Sequence, residues 1–279
     1  MFRSIQPTVW AFDCEWAPDA AAGRRLLDLP PDLPESDVFE AMWTAAGATA
    51  DRPRPYLKTA WCRLVSIAVV ERRVDDLGNV HVHLCSVPKT DEDSEQMLLN
   101  AFFGGLARRR PQLVGYNSQG ADLKVLLQRG VIHGLAAPGL CERPARPWEG
   151  PDYFYPHSDW HIDLMRLLGG RGATCPTLAD MAVLAGLPAK GEAGTGVSGG
   201  HDVADLWLRR EVIAIRHYNE IDALLTYLLW LRTAHFGGHF SASDYACEEG
   251  YVERLLEQGS DAGAEHLQAF LERWRACSA

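Results

Sequence analysis

Apolar and polar positions change period several times along the chain, and each change marks an expected element. In TVWAFDCEWAP (8–18), Val9, Trp10, Ala11 and Phe12 form an unbroken apolar run that reads as a strand entering a core, with the acids Asp13 and Glu15 at its end. WCRLVSIAVVE (61–71), rich in β-branched residues, reads as a second buried strand. HVHLCSV (81–87) alternates and is its expected hairpin partner across the turn DDLGN. From Asp91, DEDSEQMLLNAFFGGLARRR has a helical pattern, with acids in its first turn and arginines in its last, as the helix dipole favours. PQLVGYN (111–117) is a short apolar strand ending at a turn. QGADLKVLLQRG then carries Leu123, Leu126 and Leu127 at helical spacing and stops at Gly130. HIDLMRLLGG (161–170) reads as a strand running into a helix, and PTLADMAVLAG (176–186) as a short helix with Pro176 near its start. A long helical segment, roughly Ala204 to Thr233, follows a Gly-rich loop. This order of strands and helices predicts an α/β domain with a mixed sheet.

Three regions fall outside that plan. Residues 17–57 hold six of the sixteen prolines and the apolar set Val38, Phe39, Met42 and Trp43, which predicts a covering insertion with one short helix. Residues 144–160 concentrate Trp148, Tyr153, Phe154, Tyr155 and Trp160. From about Ser243 the chain offers two amphipathic helices, the second burying Leu267, Phe270, Leu271 and Trp274 on one face; they pack in cis or form a dimer. Composition narrows the class. No apolar run approaches the roughly 20 residues of a membrane helix, and the N-terminus lacks a signal-peptide pattern, so a cytoplasmic protein is expected. Seven scattered cysteines, never spaced CxxC, argue against a disulfide framework and a structural zinc site. A formal charge of -10 counts against a non-specific nucleic-acid binder, but not against a nuclease with a local groove and metal ions.

The candidate chemistry lies in the acids. Side chains at i and i+2 of a strand share a face, so Asp13 and Glu15 converge. Two anions that close repel unless a proton or a cation sits between them. Exposed strand-end acids are the ordinary alternative, weakened here because a core strand ends where the binding crevice of an α/β sheet lies. Asp122 follows a strand at the first turn of a helix, where Asp is also a common N-terminal residue; on this motif alone the two readings are even. Tyr218 and Asp222 stand four apart on one helical face, beside an apolar stripe where an unpaired Asp is costly. An interfacial Tyr and a solvated Asp are the alternative. Together, four carboxylates around one crevice can hold two Mg²⁺ or Mn²⁺ ions. Two such ions about 3.5–4 Å apart suit phosphodiester hydrolysis.

FDCEW, GYNSQGAD and HYNEID, in that order, resemble the three motifs of the DEDD 3′–5′ exonucleases, and Tyr-x-x-x-Asp marks the tyrosine subclass. Within that group the chain resembles stand-alone bacterial exonucleases related to the proofreading domain of family-B DNA polymerases, over roughly residues 7 to 235. LVSIAVV, HIDLMRLL and LADMAVLAGLPAK support the match. The resemblance implies a ribonuclease-H-like α/β domain at 1–235, with the insertion at 17–57, and a helical C-terminal extension at 236–279. It implies that Asp13 bridges two ions, Glu15 and Asp222 complete one, Asp122 serves the other through water, and Tyr218 positions the nucleophile. Asn117 matches an asparagine near the substrate strand, and Lys190, in a loop beside the substrate groove, is a phosphate contact. Two departures stand out. Trp16 stands where many relatives carry a small hydroxyl residue, which puts the family's substrate contact there in question and leaves stacking as an alternative role, and Ala121 replaces an aromatic before Asp122.

The implied activity is metal-dependent 3′–5′ hydrolysis of single-stranded nucleic acid to 5′-mononucleotides, with DNA ahead of RNA. A proofreading role would require a separate polymerase or repair partner. Two other readings stay open: a non-catalytic nucleic-acid-binding protein on the same fold, and an enzyme trimming RNA or oligonucleotide 3′ ends. Other signals are weaker. GTGVSG (194–199) fits GxGxxG but follows a helix instead of a strand, against a dinucleotide site. His157 and His161 sit four apart in a strand-like context, against a helical metal pair. Asp163 reads as a structural strand-end acid, and Arg108 to Arg110 as a helix terminus. The aromatics at 148–160 either pin a loop or stack on unpaired bases, pinning being favoured.

Overall fold

The computed structural model describes residues 1–146, 148–169, 175–189 and 202–278. In chain order the elements are β1 (Thr8–Pro18), α1 (Ala20–Leu27), α2 (Glu35–Ala45), β2 (Cys62–Val74), β3 (Val80–Val87), α3 (Glu95–Arg109), β4 (Gln112–Gly115) and α4 (Asp122–Ile132). There follow α5 (Pro138–Cys141), β5 (His161–Asp163), α6 (Leu164–Gly169), α7 (Leu178–Leu184), α8 (Val203–Leu208), α9 (Val212–Phe236), α10 (Ala242–Asp261) and α11 (Glu265–Ser278). The strands form one sheet in the order β3-β2-β1-β4-β5. The hairpin β2–β3 and the pair β1–β2 are antiparallel; β1–β4 and β4–β5 are parallel. This is the ribonuclease-H-like arrangement expected from the sequence.

Alternation along β1 separates two cores. Val9 and Ala11 face α9 together with Ala68, Val70 and Val114. Trp10, Phe12 and Cys14 face α3 and α4. A helix apolar on every side belongs inside a fold, and α9 is buried over most of its length, Trp230 and Leu224 included. The helices α10 and α11 share that core through Val252, Leu256, Leu267, Phe270, Leu271 and Trp274, so their apolar faces are satisfied within the chain. A buried bidentate pair, Arg72 with Glu248, fixes α10 to β2. Among the described residues no helix is long and apolar enough to cross a membrane, and the seven cysteines are free.

Several boundaries differ from the sequence reading. The strand β1 does not end at its acids but continues to Pro18. Residues 17–57 contain two helices instead of one. The additional helix, α1, crosses α2 at Gly23, where a side chain would meet Met42 and Val38 at 2.6 Å. The helix α3 starts at Glu95 with Ser94 as its N-cap, because Asp93 turns back to accept the N–H groups of Lys89 and Thr90. The helix α4 runs past Gly130 to Ile132, and α7 begins after Pro176, behind a Thr177–Asp180 capping box. The long helical segment is broken between α8 and α9, where Arg210 adopts a left-handed conformation (φ 63°) and Glu211 N–H returns to Leu206 O.

The aromatic segment divides in two. Tyr153 is buried with its hydroxyl on Pro111 O, and Phe154 and Trp160 pack on the α3-side core. Trp148 is 73% exposed and Tyr155 38%. Asp152 holds the segment by accepting the N–H groups of Phe154 and Tyr155 and the Arg143 guanidinium. Burial alone would raise the Asp152 pKa, but Arg143 and those two N–H groups hold it below the usual carboxylate range. A carboxylate depressed in the folded state stabilises it above the unfolded pKa and loses that contribution as pH falls through the folded value. Asp152→Asn is therefore expected to cost about 2 kcal/mol near pH 6. The gap between the two thermal unfolding curves should narrow as the pH falls below the ordinary carboxylate range.

Candidate active site

The site forms where β1 outruns its parallel neighbour. Pairing of β1 with β4 stops at Ala11 opposite Val114, so the far half of β1 leaves one edge open at the carboxyl end of the sheet. Asp13 and Glu15 stand on the α9 side of that half. From α9, Ile215, Tyr218, Asn219 and Asp222 recur at i, i+3, i+4 and i+7, which is one helical face. Carboxylate oxygens of Asp13, Glu15 and Asp222 lie within 4.8 Å of one another. Asp222 is 1% exposed and Glu15 9%. Two unit charges at that distance repel by roughly 3 kcal/mol even at an effective dielectric near 20, so a cation among them is favourable. Every donor atom is a carboxylate oxygen, which fits Mg²⁺ or Mn²⁺ better than a softer metal.

A bulge sets the direction of Glu15. Glu15 pairs with Ser66 and Trp16 with Leu64, so Val65 of β2 has no opposite residue. Val65 turns to the α9 side beside Tyr218, and Leu64 and Ile67 both face the other core. The N–H of Leu64 is taken by buried Glu95 at 2.7 Å. Glu95 also accepts from Arg129 Nε at 2.6 Å and meets His133 Nε2 at 2.8 Å, and Arg129 reaches Asp19 at 2.9 Å. This charged cluster ties α1, α3 and α4 to the bulge.

Asp122 enters from α4 and is 4% exposed. Its Oδ1 accepts the Cys14 N–H at 3.0 Å, a group that β4 is too short to reach. Desolvation pushes its pKa up to about 7, against the pull of that N–H and its own, with Asp163 and Asp222 adding to the rise. A nearby cation would reverse this bias. Burial, followed by the fields of Asp122, Asp13 and Glu15, also raises the Cys14 thiol well above its usual range, which keeps it inert.

Asn117 precedes Asp122 in a tight turn with φ 62°. Gly115 permits the turn, since a Cβ there would lie 2.3 Å from that of Ser118. Asp163 fixes it, accepting the N–H groups of Asn117 and Gln119 at 3.0 Å each. His161 is buried, accepts from Ser118 Oγ and donates to Tyr153 O, so burial leaves it neutral and structural. Tyr218 is 1% exposed, one turn before Asp222, packed with Ala17 and Val65. Trp16 is not brought to the carboxylate face; it packs half-buried on the α3 side. Lys190 and GTGVSG lie outside the described residues. One residue of the cluster is not evident from the sequence. Asn219 is fully buried and donates from Nδ2 to Asp13 Oδ2 at 2.9 Å. Its place one residue after Tyr218, on the Asp222 face, is the signal that identifies it.

No match was found among curated proteins. Among solved structures the chain is similar to the family B DNA polymerase from the hyperthermophilic archaeon Pyrobaculum calidifontis, with 16% identity and a TM-score of 0.47. The similarity covers 93% of this chain but 29% of that polymerase. A family model described as a predicted 3′–5′ exonuclease related to the exonuclease domain of PolB matches residues 54–274. The matched span takes in α9 with Tyr218 and Asp222, all of α10 and α11 as far as Trp274, and begins after the acids of β1. The chain therefore belongs to this family of predicted 3′–5′ exonucleases.

Proposed function

We propose that the protein removes 5′-mononucleotides from the 3′ end of single-stranded nucleic acid, DNA in preference to RNA, with two Mg²⁺ or Mn²⁺ ions. The observation that carries this reading is the convergence of Asp13, Glu15 and Asp222 within 4.8 Å. Asp13, Glu15 and Asp222 would hold the metal, with Asp122 completing the second position. When bound there, the metal supplies charge to activate water and to offset the negative charge of the leaving oxygen. Tyr218 orients the attacking water. Asn117 and Lys190 are the substrate contacts that the motif resemblance implies; Trp16, packed on the α3-side core, is not retained as one. The domain reading is one exonuclease domain at 1–235 with the C-terminal helices as its extension.

Asn219 has the geometry to hold Asp13 in its ligating orientation. Asn219→Leu is expected to weaken Mn²⁺ binding roughly 10- to 100-fold in a calorimetric titration, the usual range for loss of a group that orients a ligand. Polarity and sugar preference are tested with 5′-labelled single-stranded DNA and RNA in Mn²⁺. Stepwise shortening from the 3′ end, faster on DNA, is expected. Internal cuts at early times would overturn the reading.

A further inference from the structure

One depression adjoins the turn that carries Asn117, and a second lies next to it. The first, about 260 Å³, is lined by Gln119, Asp163 and Arg166. The second, about 560 Å³, is lined by Trp148, Tyr155, Trp160 and Arg3. His157, Ser158 and Asp159 line both, so a continuous path along the edge strand β5 joins Gln119 of that turn to the aromatic segment. We propose that the upstream part of a single-stranded nucleic acid lies in this groove with its bases stacked on Trp148 and Tyr155. The proposal rests on the exonuclease reading, to which it adds how the strand is held.

The division within the segment is what points to a ligand. Tyr153, Phe154 and Trp160 anchor it, and Asp152 fixes the backbone at Tyr155. Trp148 and Tyr155 are exposed on this anchored frame, where pinning requires neither. The Arg146 guanidinium lies 5.9 Å from the Trp148 ring, and His157 meets Tyr155 edge-on at 5.8 Å. Every base has a π-face, so such a platform tolerates any sequence. The charge of the groove also favours bases over phosphates. Glu149 and Asp159 line it beside Arg3; Glu149 is answered by Arg146 at 3.8 Å, and Asp159 accepts the Arg3 N–H. Acids and arginines both line it, so the gain from stacking should change less with salt than phosphate contacts would.

The test measures binding of fluorescein-labelled dT4 and dT16 by anisotropy, in EDTA, for the wild type and a Trp148→Ala/Tyr155→Ala double variant. Wild type is expected to bind dT16 at least tenfold more tightly than dT4, about 1.4 kcal/mol. The double variant should lose that length gain, keep its dT4 affinity and unfold at the wild-type temperature. Trp148→Phe/Tyr155→Phe should restore the gain. A length gain that survives in the Ala variant overturns the proposal, even if the protein shortens strands in Mn²⁺. Loss of the gain in a protein that shortens nothing sustains the stacking groove and overturns the exonuclease reading. No binding to either strand by the wild type overturns the groove.

Discussion

Asp13→Ala is expected to lower kcat on single-stranded DNA by at least about 10³-fold, with KM changed little. That is the scale on which losing one group preorganised against developing charge is felt. Asp13 sits at the centre of the cluster, with Glu15 and Asp222 oxygens within 4.8 Å and the Asn219 amide on its Oδ2. In the proposed centre its removal deletes a ligand and leaves two anions to hold the metal. In the proposed function the strand is held by other residues, so KM has little reason to move. A stopped assay on 5′-labelled dT16 measures both constants. A variant that keeps a tenth of the wild-type kcat would remove Asp13 from the chemistry.

Glu95→Ala is expected to destabilise the fold by about 3–5 kcal/mol, the usual penalty for breaking a buried ion pair by removing one partner. For a chain of this size that lowers the unfolding temperature by roughly 10 °C. Arg129 is 3% exposed and would lose both contacts to Glu95, keeping only Asp19. The Leu64 N–H, which the bulge takes out of the strand ladder, would lose its acceptor as well. Glu95→Gln retains an acceptor for Leu64 but gives up the charge facing Arg129, and should fall between the two. Circular dichroism melts of the three proteins measure this. Equal melting temperatures would mean that the cluster does not support the bulge.

The elements legible in the sequence are those whose signal is local. The apolar run before Asp13, the DDLGN hairpin and the stripe of α11 each show their period within a dozen residues. Helix α1 does not, because AAAGRRLL is short and its glycine serves a close approach to α2, which is tertiary. The break before α9 is hidden for a related reason. Arg210 occupies a left-handed position usually marked by Gly, and Arg there gives no signal. The carboxylates of the site are readable because their spacing is fixed by strand and helix periods. Their supports are not: Glu95 to Leu64, Asp163 to Asn117 and Asn219 to Asp13 join residues 31, 46 and 206 positions apart. The bulge at Val65 is likewise a property of pairing between two strands, invisible in either one alone.

In the proposed function the acids of β1 and α9 form a metal-dependent nuclease centre. Its most direct test is a time course on 5′-labelled single-stranded DNA with EDTA, then with Mn²⁺ added in excess, for the wild type and Asp13→Ala side by side. The wild type should leave the strand intact in EDTA and shorten it from the 3′ end once Mn²⁺ is present, and the variant should leave it intact in both. Shortening by the wild type in EDTA, or by Asp13→Ala in Mn²⁺ at a comparable rate, would contradict the account.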